Sequence, residues 1–376
     1  MTAVAAASLE RTATTTTRRR WRRAIGGEGV RVLLPLVLAI VAISLYTNNE
    51  NGNFLTWANI ENIAVQASVL AIVATGQTFV VAAGQLDLSV GSMASFVGVV
   101  AATWLSGGRP DGVVIALAVL IGVLCGAVWG VLVAVARIPP FILTLGGLSV
   151  LSSLALKRAG DRPVPARNGL GWLRTGEFAG LRWPIVLTIS VVVAATLVLR
   201  YTGFGRCVYA VGSSEEAAHL AGLPVRRTKI LVFVISGALV GLAAVVLVTR
   251  LGAGDPRGGA GLELRAIAAV VLGGATLAGG RGSAVGTAIG VVLLGVIQTA
   301  LTFLKIDASY EGLVFGGVLI IAVGVTAIID HHRGAPPPWR ALLRRRAAQP
   351  PNPAAAGGPP SPASTGVDNV TKGAPT

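Results

Sequence analysis

Apolar residues gather in ten runs along the chain, at roughly 30–46, 60–83, 88–105, 112–136, 140–157, 183–199, 228–250, 264–278, 283–303 and 312–330. Most are long enough to cross a hydrocarbon core of ~30 Å as a helix. Glycine or proline interrupts several of them. The first run follows a basic cluster, Arg18-Arg19-Arg20-Trp21-Arg22-Arg23, and is followed by the polar loop Thr47-Asn48-Asn49-Glu50. No small-residue cleavage site stands out there, so it reads as an uncleaved first span and not as a secretory signal. The pattern predicts an all-α polytopic membrane protein of about ten transmembrane helices, several of them broken.

Composition points the same way. Of 376 residues, 53% are apolar and 12% charged, with mean hydropathy +0.74. Soluble domains carry about 25% charged residues. A soluble core this apolar would leave too few polar residues to cover its own surface, which argues against a soluble enzyme. The formal charge of +15 lies in tails and loops. Nucleic-acid binders cluster such charge on a folded polar domain, so the lipid bilayer is the expected partner and nucleic acid is not.

With both tails placed in the cytoplasm, twenty of the 31 Lys and Arg residues fall inside, as the positive-inside rule asks. One loop dissents. Lys157, Arg158, Arg162, Arg167, Arg174 and Arg182 fall on the assigned outer side, so that loop is either a folded outer cap or the mark of a miscounted span. Three regions follow: a basic cytoplasmic tail over 1–29, a transmembrane domain over 30–333, and a Pro-, Ala- and Gly-rich cytoplasmic tail over 334–376 expected to be disordered. In the last, Arg344-Arg345-Arg346 would meet anionic lipid of the inner leaflet.

No phosphate-binding G-x-x-x-x-G-K-[ST] loop and no H-E-x-x-H metal pair occurs. Cys125 and Cys207 form neither a disulfide framework nor a metal cluster, and no catalytic residue or metal site is expected. The carboxylates Asp87, Glu263 and Asp330 sit at ends or breaks of apolar runs, where a proton-coupled pump would need them near mid-membrane. A pore driven by another subunit fits better.

The breaks carry the chemistry. Gly84-Gln85-Leu86-Asp87-Leu88-Ser89-Val90-Gly91-Ser92 separates two spans with a carboxylate and two hydroxyls. Irregular backbone at membrane depth requires cover by protein or water. Asp87 or Ser89 either caps the next span or, with Ser92, touches a solute. At Ile138-Pro139-Pro140-Phe141-Ile142-Leu143-Thr144 the prolines suit the first turn of a new helix. Phe141 there either packs or stacks on a sugar face, and Thr144 offers a hydrogen bond. A third break begins at Gly261-Leu262-Glu263-Leu264-Arg265 and runs through Gly273-Gly274 and Thr276 to Gly279-Gly280-Arg281-Gly282-Ser283. Its glycines imply close helix approach or an unwound stretch lining a path. Gly122, Gly126 and Gly130, four apart, read as a helix-packing face.

The segment 205–229 differs in kind. Ser213 with Glu216 three residues later forms a capping box. Gly222 supplies a C-terminal cap and Pro224 prevents continuation. A helix so short is marginal alone in water, so it is expected to dock on a partner.

These motifs resemble the membrane permeases of bacterial ABC importers of the ribose/xylose/galactose class, over about residues 55–325. The family pattern G-G-I-D-L-S-V-G-S is met from Gly84 to Ser92, with Gln85 and Leu86 as departures. P-F-I-x-T-L-G is met from Pro140 to Gly146. The loop pattern G-R-x-x-Y-A-x-G is met at Gly205-Arg206, Tyr209-Ala210 and Gly212, continuing to Ala217-Ala218 and Gly222, with Ser214 in place of Asn. The run from Glu263 to Ser283 matches a fourth pattern, with Arg265 as a departure.

The resemblance implies a type II ABC importer permease that pairs with a second copy of itself or a close paralogue. It implies a cytoplasmic ABC ATPase, which binds the ATP, and an extracellular sugar-binding protein. It makes 30–333 a permease domain, in a multi-pass protein of the bacterial cell membrane that is not itself an enzyme. Asp87, Ser89, Ser92, Phe141, Thr144, Glu263, Thr276 and Gln298 are then the candidate path residues. Ser213, Ser214, Glu215, Glu216, Ala217, Ala218 and Gly222 are the candidate coupling residues. Related permeases carry nucleosides or branched-chain amino acids, and a proton-coupled secondary sugar transporter is the rival class.

Overall fold

The computed structural model describes residues 33–166, 169–307 and 309–332. The tails expected over 1–29 and 334–376, with their arginine clusters, lie outside the described residues. Apolar helices form where the runs predict them. They are α1 (Leu33–Asn51), α2 (Trp57–Ala82), α3 (Val90–Ser106), α4 (Asp111–Ala134), α5 (Pro140–Ala159), α7 (Trp183–Tyr201), α10 (Val225–Leu251), α11 (Leu262–Leu272), α12 (Ala284–Phe303) and α13 (Ser309–His332). Three short polar helices complete the set among the described residues: α6 (Gly171–Thr175), α8 (Gly203–Ser213) and α9 (Glu215–Leu220). The packing described here lies in the unit that ends at Gly324.

Among the described residues, seven helices, α1, α2, α4, α5, α7, α10 and α12, are long and apolar enough to cross a membrane, and α3, on the expected span over 88–105, is shorter at 17 residues. The expected span over 264–278 is not one of the seven either. Helix α11 has 11 residues, or about 16 Å at the α-helical rise, roughly half a hydrocarbon core. It ends where Gly273-Gly274 interrupts the run. The chain reaches it by an irregular descent along α3. Gly254 lies against the backbone of Gly98 and Val99, and Gly259 lies against Gly91, two turns earlier on the same helix. The Gly259 N–H donates to Ser95 Oγ at 2.9 Å. Glycine is needed at both positions because any Cβ would strike α3. Irregular backbone is held here under cover of protein, the condition the bilayer imposes.

Helix α10 is the axis, packed on α4, α2 and α3. Gly122 meets the carbonyl of Gly237, Gly126 that of Phe233, and Gly130 the backbone of Ile230. The four-residue spacing thus builds a close helix seam, as the sequence predicts. The outer faces of α4 and α7 expose Leu120, Leu124, Val128, Ile189, Val193 and Leu197. Such a surface is an aggregation hazard in water and is matched to lipid.

Among its described residues the dissenting basic loop is a folded cap of short strands and one five-residue helix. Strand β1 (Val164–Pro165) pairs antiparallel with β4 (Ala253–Gly254), and β2 (Glu177–Phe178) pairs with β3 (Leu181–Arg182). The Asp111 carboxylate accepts from the Leu170 N–H at 3.0 Å and from Trp172 Nε1–H at 3.1 Å. Arg257 pairs with Asp161 at 2.8 Å, and Arg182 with Glu61 at 3.1 Å.

Candidate functional site

The three breaks meet. Helix α2 ends in a turn in which Gly84, at φ 73°, lets the N–H groups of Gly84 and Gln85 reach back to Val81 and Val80. The chain then runs without regular secondary structure to α3. Asp87 is wholly buried, and its Oδ1 accepts from the Ser89 N–H at 2.9 Å and the Ser89 hydroxyl at 2.6 Å. Ser92 donates to the Ser89 carbonyl at 2.9 Å. The carboxylate therefore shapes the break, although Ser89 as N-cap makes no side-chain cap bond itself. Gln77 of α2 donates to the Asp87 carbonyl at 3.1 Å. Gln77 Oε1 and Asp87 Oδ2 stay buried without a partner among the described residues.

Thr144, buried in the first turns of α5, donates to its own Pro140 carbonyl at 2.9 Å and reaches the Leu86 carbonyl at 3.4 Å. This joins the second break to the first. On the other flank, the Glu263 carboxylate and the Gly259 carbonyl lie directly on Gly91. Glu263 also accepts from the Gly261 N–H at 3.2 Å, in the first turn of α11. Leu86 and Leu88 pack on Ile267 and Val271 of that helix.

Not every candidate joins this cluster. Phe141 is half exposed on the outside of α5. Thr276 holds the turn before α12 by donating to the Gly279 carbonyl at 2.7 Å. Gln298 sits in the last two turns of α12 and donates to Glu311 of α13 at 3.2 Å, with no hydrogen bond to any break. The buried hydroxyl pair Thr78–Thr287, 2.8 Å apart between α2 and α12, escaped the sequence reading. Two threonines in separate apolar runs carry no signal of their pairing.

The short polar helix is present, but its boundaries shift. Residues 203–213 already form α8, whose N-cap Thr202 accepts from the Gly205 N–H at 3.1 Å. Ser213 is therefore the last residue of α8 and donates to the Tyr209 carbonyl at 2.8 Å. The N-cap role falls to Ser214, whose hydroxyl accepts from Ala217 N–H at 3.2 Å. The expected capping box of Ser213 with Glu216 does not form: the cap moves one residue on to Ser214, whose third residue Ala217 has no side-chain acceptor to return the bond, and the helix spans Glu215–Leu220 only.

Gly222, at φ 75°, closes it as expected, with the Leu223 N–H donating to the Ala218 carbonyl at 3.0 Å. Glu215, Glu216 and Ala217 are exposed. Ala218 is buried against Val211 and Val225 and faces its own chain, a correction to its expected outward contact. Leu220, at 82% exposure, is the large apolar side chain this helix offers. Burial pushes the Tyr209 phenol of α8 above its usual value, so at neutral pH it is a donor; it bonds the Gly282 carbonyl at 2.8 Å.

Comparison with known proteins places this geometry. A family described as the permease component of branched-chain amino acid transport systems matches residues 59–323. The ribose import permease protein of Haemophilus influenzae is 36% identical over 298 residues, covering 78% of this chain and 91% of that protein. An L-arabinose ABC transporter permease of Azospirillum brasilense is 40% identical over 282 residues, 75% of this chain and 82% of its own. The xylose transport system permease protein of Escherichia coli K12 is 31% identical over 354 aligned positions, 77% of this chain and 90% of its own. No solved structure matches. The matched region contains all three breaks and the short polar helix, and the chain belongs to the family of branched-chain amino acid transport system permease components.

Proposed function

We propose that this chain is the transmembrane pore subunit of an ATP-driven importer for a monosaccharide, a pentose or hexose, in the bacterial cell membrane. Both termini are cytoplasmic in this reading. A second permease copy, a cytoplasmic ABC ATPase and an extracellular sugar-binding protein complete the machine. The observation that carries it is the meeting of the 84–92, 140–144 and 259–263 segments at Gly91 and Thr144. Sugar hydroxyls stripped of water need hydrogen-bond partners, and irregular backbone supplies them where helices cannot. Relatives named for ribose, L-arabinose and xylose favour a pentose.

The pairing with a second copy is supported by α5. Gly146, Ser149, Ser153 and Lys157 lie exposed along one side of it, and Ser149, Ser153 and Lys157 line a shallow depression. Hydroxyls and an ammonium are poorly matched to lipid, whereas a facing subunit or a water-filled path suits them. Glu215, Glu216, Ala217 and Leu220 form the exposed surface of α9 that would seat in the ATPase. The chain needs no cofactor, since ATP is bound by the partner.

The test is uptake by proteoliposomes holding this chain with an ABC ATPase and a sugar-binding protein from the same organism. Labelled D-ribose, L-arabinose, D-xylose, a nucleoside and leucine are offered in turn. ATP-dependent uptake of a sugar is expected. Uptake of only leucine or the nucleoside would reassign the substrate. Import by this chain alone, abolished by a protonophore, would replace the reading with a secondary transporter.

A further inference from the structure

Four glycines meet where the polar helices touch the membrane domain. The Gly212 α-carbon, one residue from the end of α8, lies against the Ala82 carbonyl and the Gly280 backbone nitrogen. The Gly280 N–H donates to that same Ala82 carbonyl at 2.9 Å. Gly279 rests on Gly84, three residues before Asp87. The end of α2, the loop before α12 and the end of α8 therefore touch backbone to backbone at Gly84, Gly279 and Gly212, while the Ser213 side chain lies on Gly280. The Tyr209 hydroxyl adds a directed bond to the Gly282 carbonyl at 2.8 Å, from one turn earlier on α8. Ser214, the cap of α9, is two residues beyond Gly212.

Side chains between packed elements absorb small displacements by changing rotamer; backbone in direct contact has no such slack. A shift of α9 along its axis must move Ser214 and hence Gly212. Gly212 cannot advance without displacing Ala82 or Gly280, and Ala82 is the last residue of α2 before the break that holds Asp87. The contact is rigid in compression, and the tyrosine bond resists separation. Together they fix α8 to the loop before α12 in both directions, and that loop in turn rests on the end of α2 through Gly280 on Ala82 and Gly279 on Gly84.

We propose that Tyr209 and Gly212 are positioning residues that transmit movement of the docked helix α9 to the 84–92 break, so that the two are coupled through this glycine junction. The proposal rests on the reading of α9 as the ATPase-docking helix. It differs from that reading in assigning transmission, and not docking, to these two residues.

The experiment uses the full complex in proteoliposomes, with whichever sugar of the ribose, L-arabinose and D-xylose panel the unaltered complex imports. Tyr209→Phe removes one hydrogen bond and keeps the ring. It should leave ATPase co-purification and sugar-free ATP hydrolysis unchanged and lower the sugar-stimulated increment about fivefold, the factor that ~1 kcal/mol gives. Gly212→Ala sets a methyl group on the Ala82 carbonyl and should cut import about tenfold or more at equal ATPase occupancy.

A purely structural role would lower yield and thermal stability together, without changing the ratio of stimulated to basal hydrolysis. Wild-type stimulation and import in both variants would overturn the proposal. So would loss of ATPase association in both, since the contact would then serve docking. An unaltered chain that bound no ATPase would overturn the reading under it and this proposal together.

Discussion

The Glu215 carboxylate lies 2.6 Å from the Lys229 ammonium, joining the first residue of α9 to the first turns of α10. The partners are unequally exposed: 11% of the lysine side chain is accessible and 57% of the glutamate. Glu215 therefore remains largely solvated, while Lys229 has given up most of its water for one partner. Pairs with an exposed member contribute little, ~0.2–1 kcal/mol. Glu215→Gln should accelerate hydrogen exchange at the α9 amides by about two- to fivefold, and less at high salt. Lys229→Met, which removes the buried charge along with the pair, should perturb α9 less. An equal effect of both variants would show that the buried Lys229 charge carries no desolvation cost of its own.

Leu220 should be the anchor of ATPase docking. It is 82% exposed and sits on a helix whose other outward residues are Glu215, Glu216, Ala217 and His219. Buried apolar anchors dominate interfaces, at about 2 kcal/mol or more when removed. Leu220→Asp should weaken ATPase binding at least about tenfold in detergent pull-down while leaving membrane insertion intact. Retained wild-type affinity would place the docking contact elsewhere.

Asp87 separates shape from charge. Its Oδ1 accepts both Ser89 donors inside the fold. Asp87→Asn keeps an oxygen acceptor at that site and should fold with stability close to wild type. Asp87→Ala leaves the buried Ser89 N–H and hydroxyl without their acceptor, a loss of about 1–3 kcal/mol per unsatisfied group. Thermal unfolding in detergent reads the difference; equal melting temperatures for the two variants would refute the hydrogen-bond account.

The helix seam predicts a contrast between two glycines. At Gly126 an added methyl group strikes the Phe233 carbonyl, whereas at Gly146 it meets nothing within 4 Å. Gly126→Ala should cost about 1–3 kcal/mol from overpacking. Gly146→Ala should be neutral for the monomer and show its effect only in pairing with the second copy, measured by cross-linking across α5. A monomer destabilised by Gly146→Ala would contradict the open face described for α5.

Much of the membrane domain was legible because hydropathy is local: a run of apolar residues commits its own segment to a membrane helix wherever its neighbours lie. The α4 seam was legible too, since a four-residue glycine spacing marks one helix face. The span over 264–278 misled for the same local reason. Its composition is apolar enough, and only the glycines at 273 and 274, together with the descent of 254–261 along α3, shorten the helix to 11 residues. The capping box at Ser213 misled because Ser213 and Ser214 are both good caps. Which one serves depends on where α8 ends: Ser213 is still its last residue and its hydroxyl already donates to the Tyr209 carbonyl, which leaves Ser214 as the cap.

By itself, then, the sequence determined the membrane class, the positions of the breaks, the presence of a short capped polar helix and the family motifs that run through them. Those properties follow from residue chemistry within one or two helical turns. Tertiary structure alone decided that Thr144 reaches Leu86, that Glu263 lies on Gly91, that Ala218 turns inward while Leu220 turns out, and that Gly212 abuts Ala82. Each of these joins or orients segments through packing, and in the longest case the partners lie more than a hundred residues apart. Their proximity depends on how closely helices approach, which is set by the sum of many small residues across several elements and written in no single stretch of the chain.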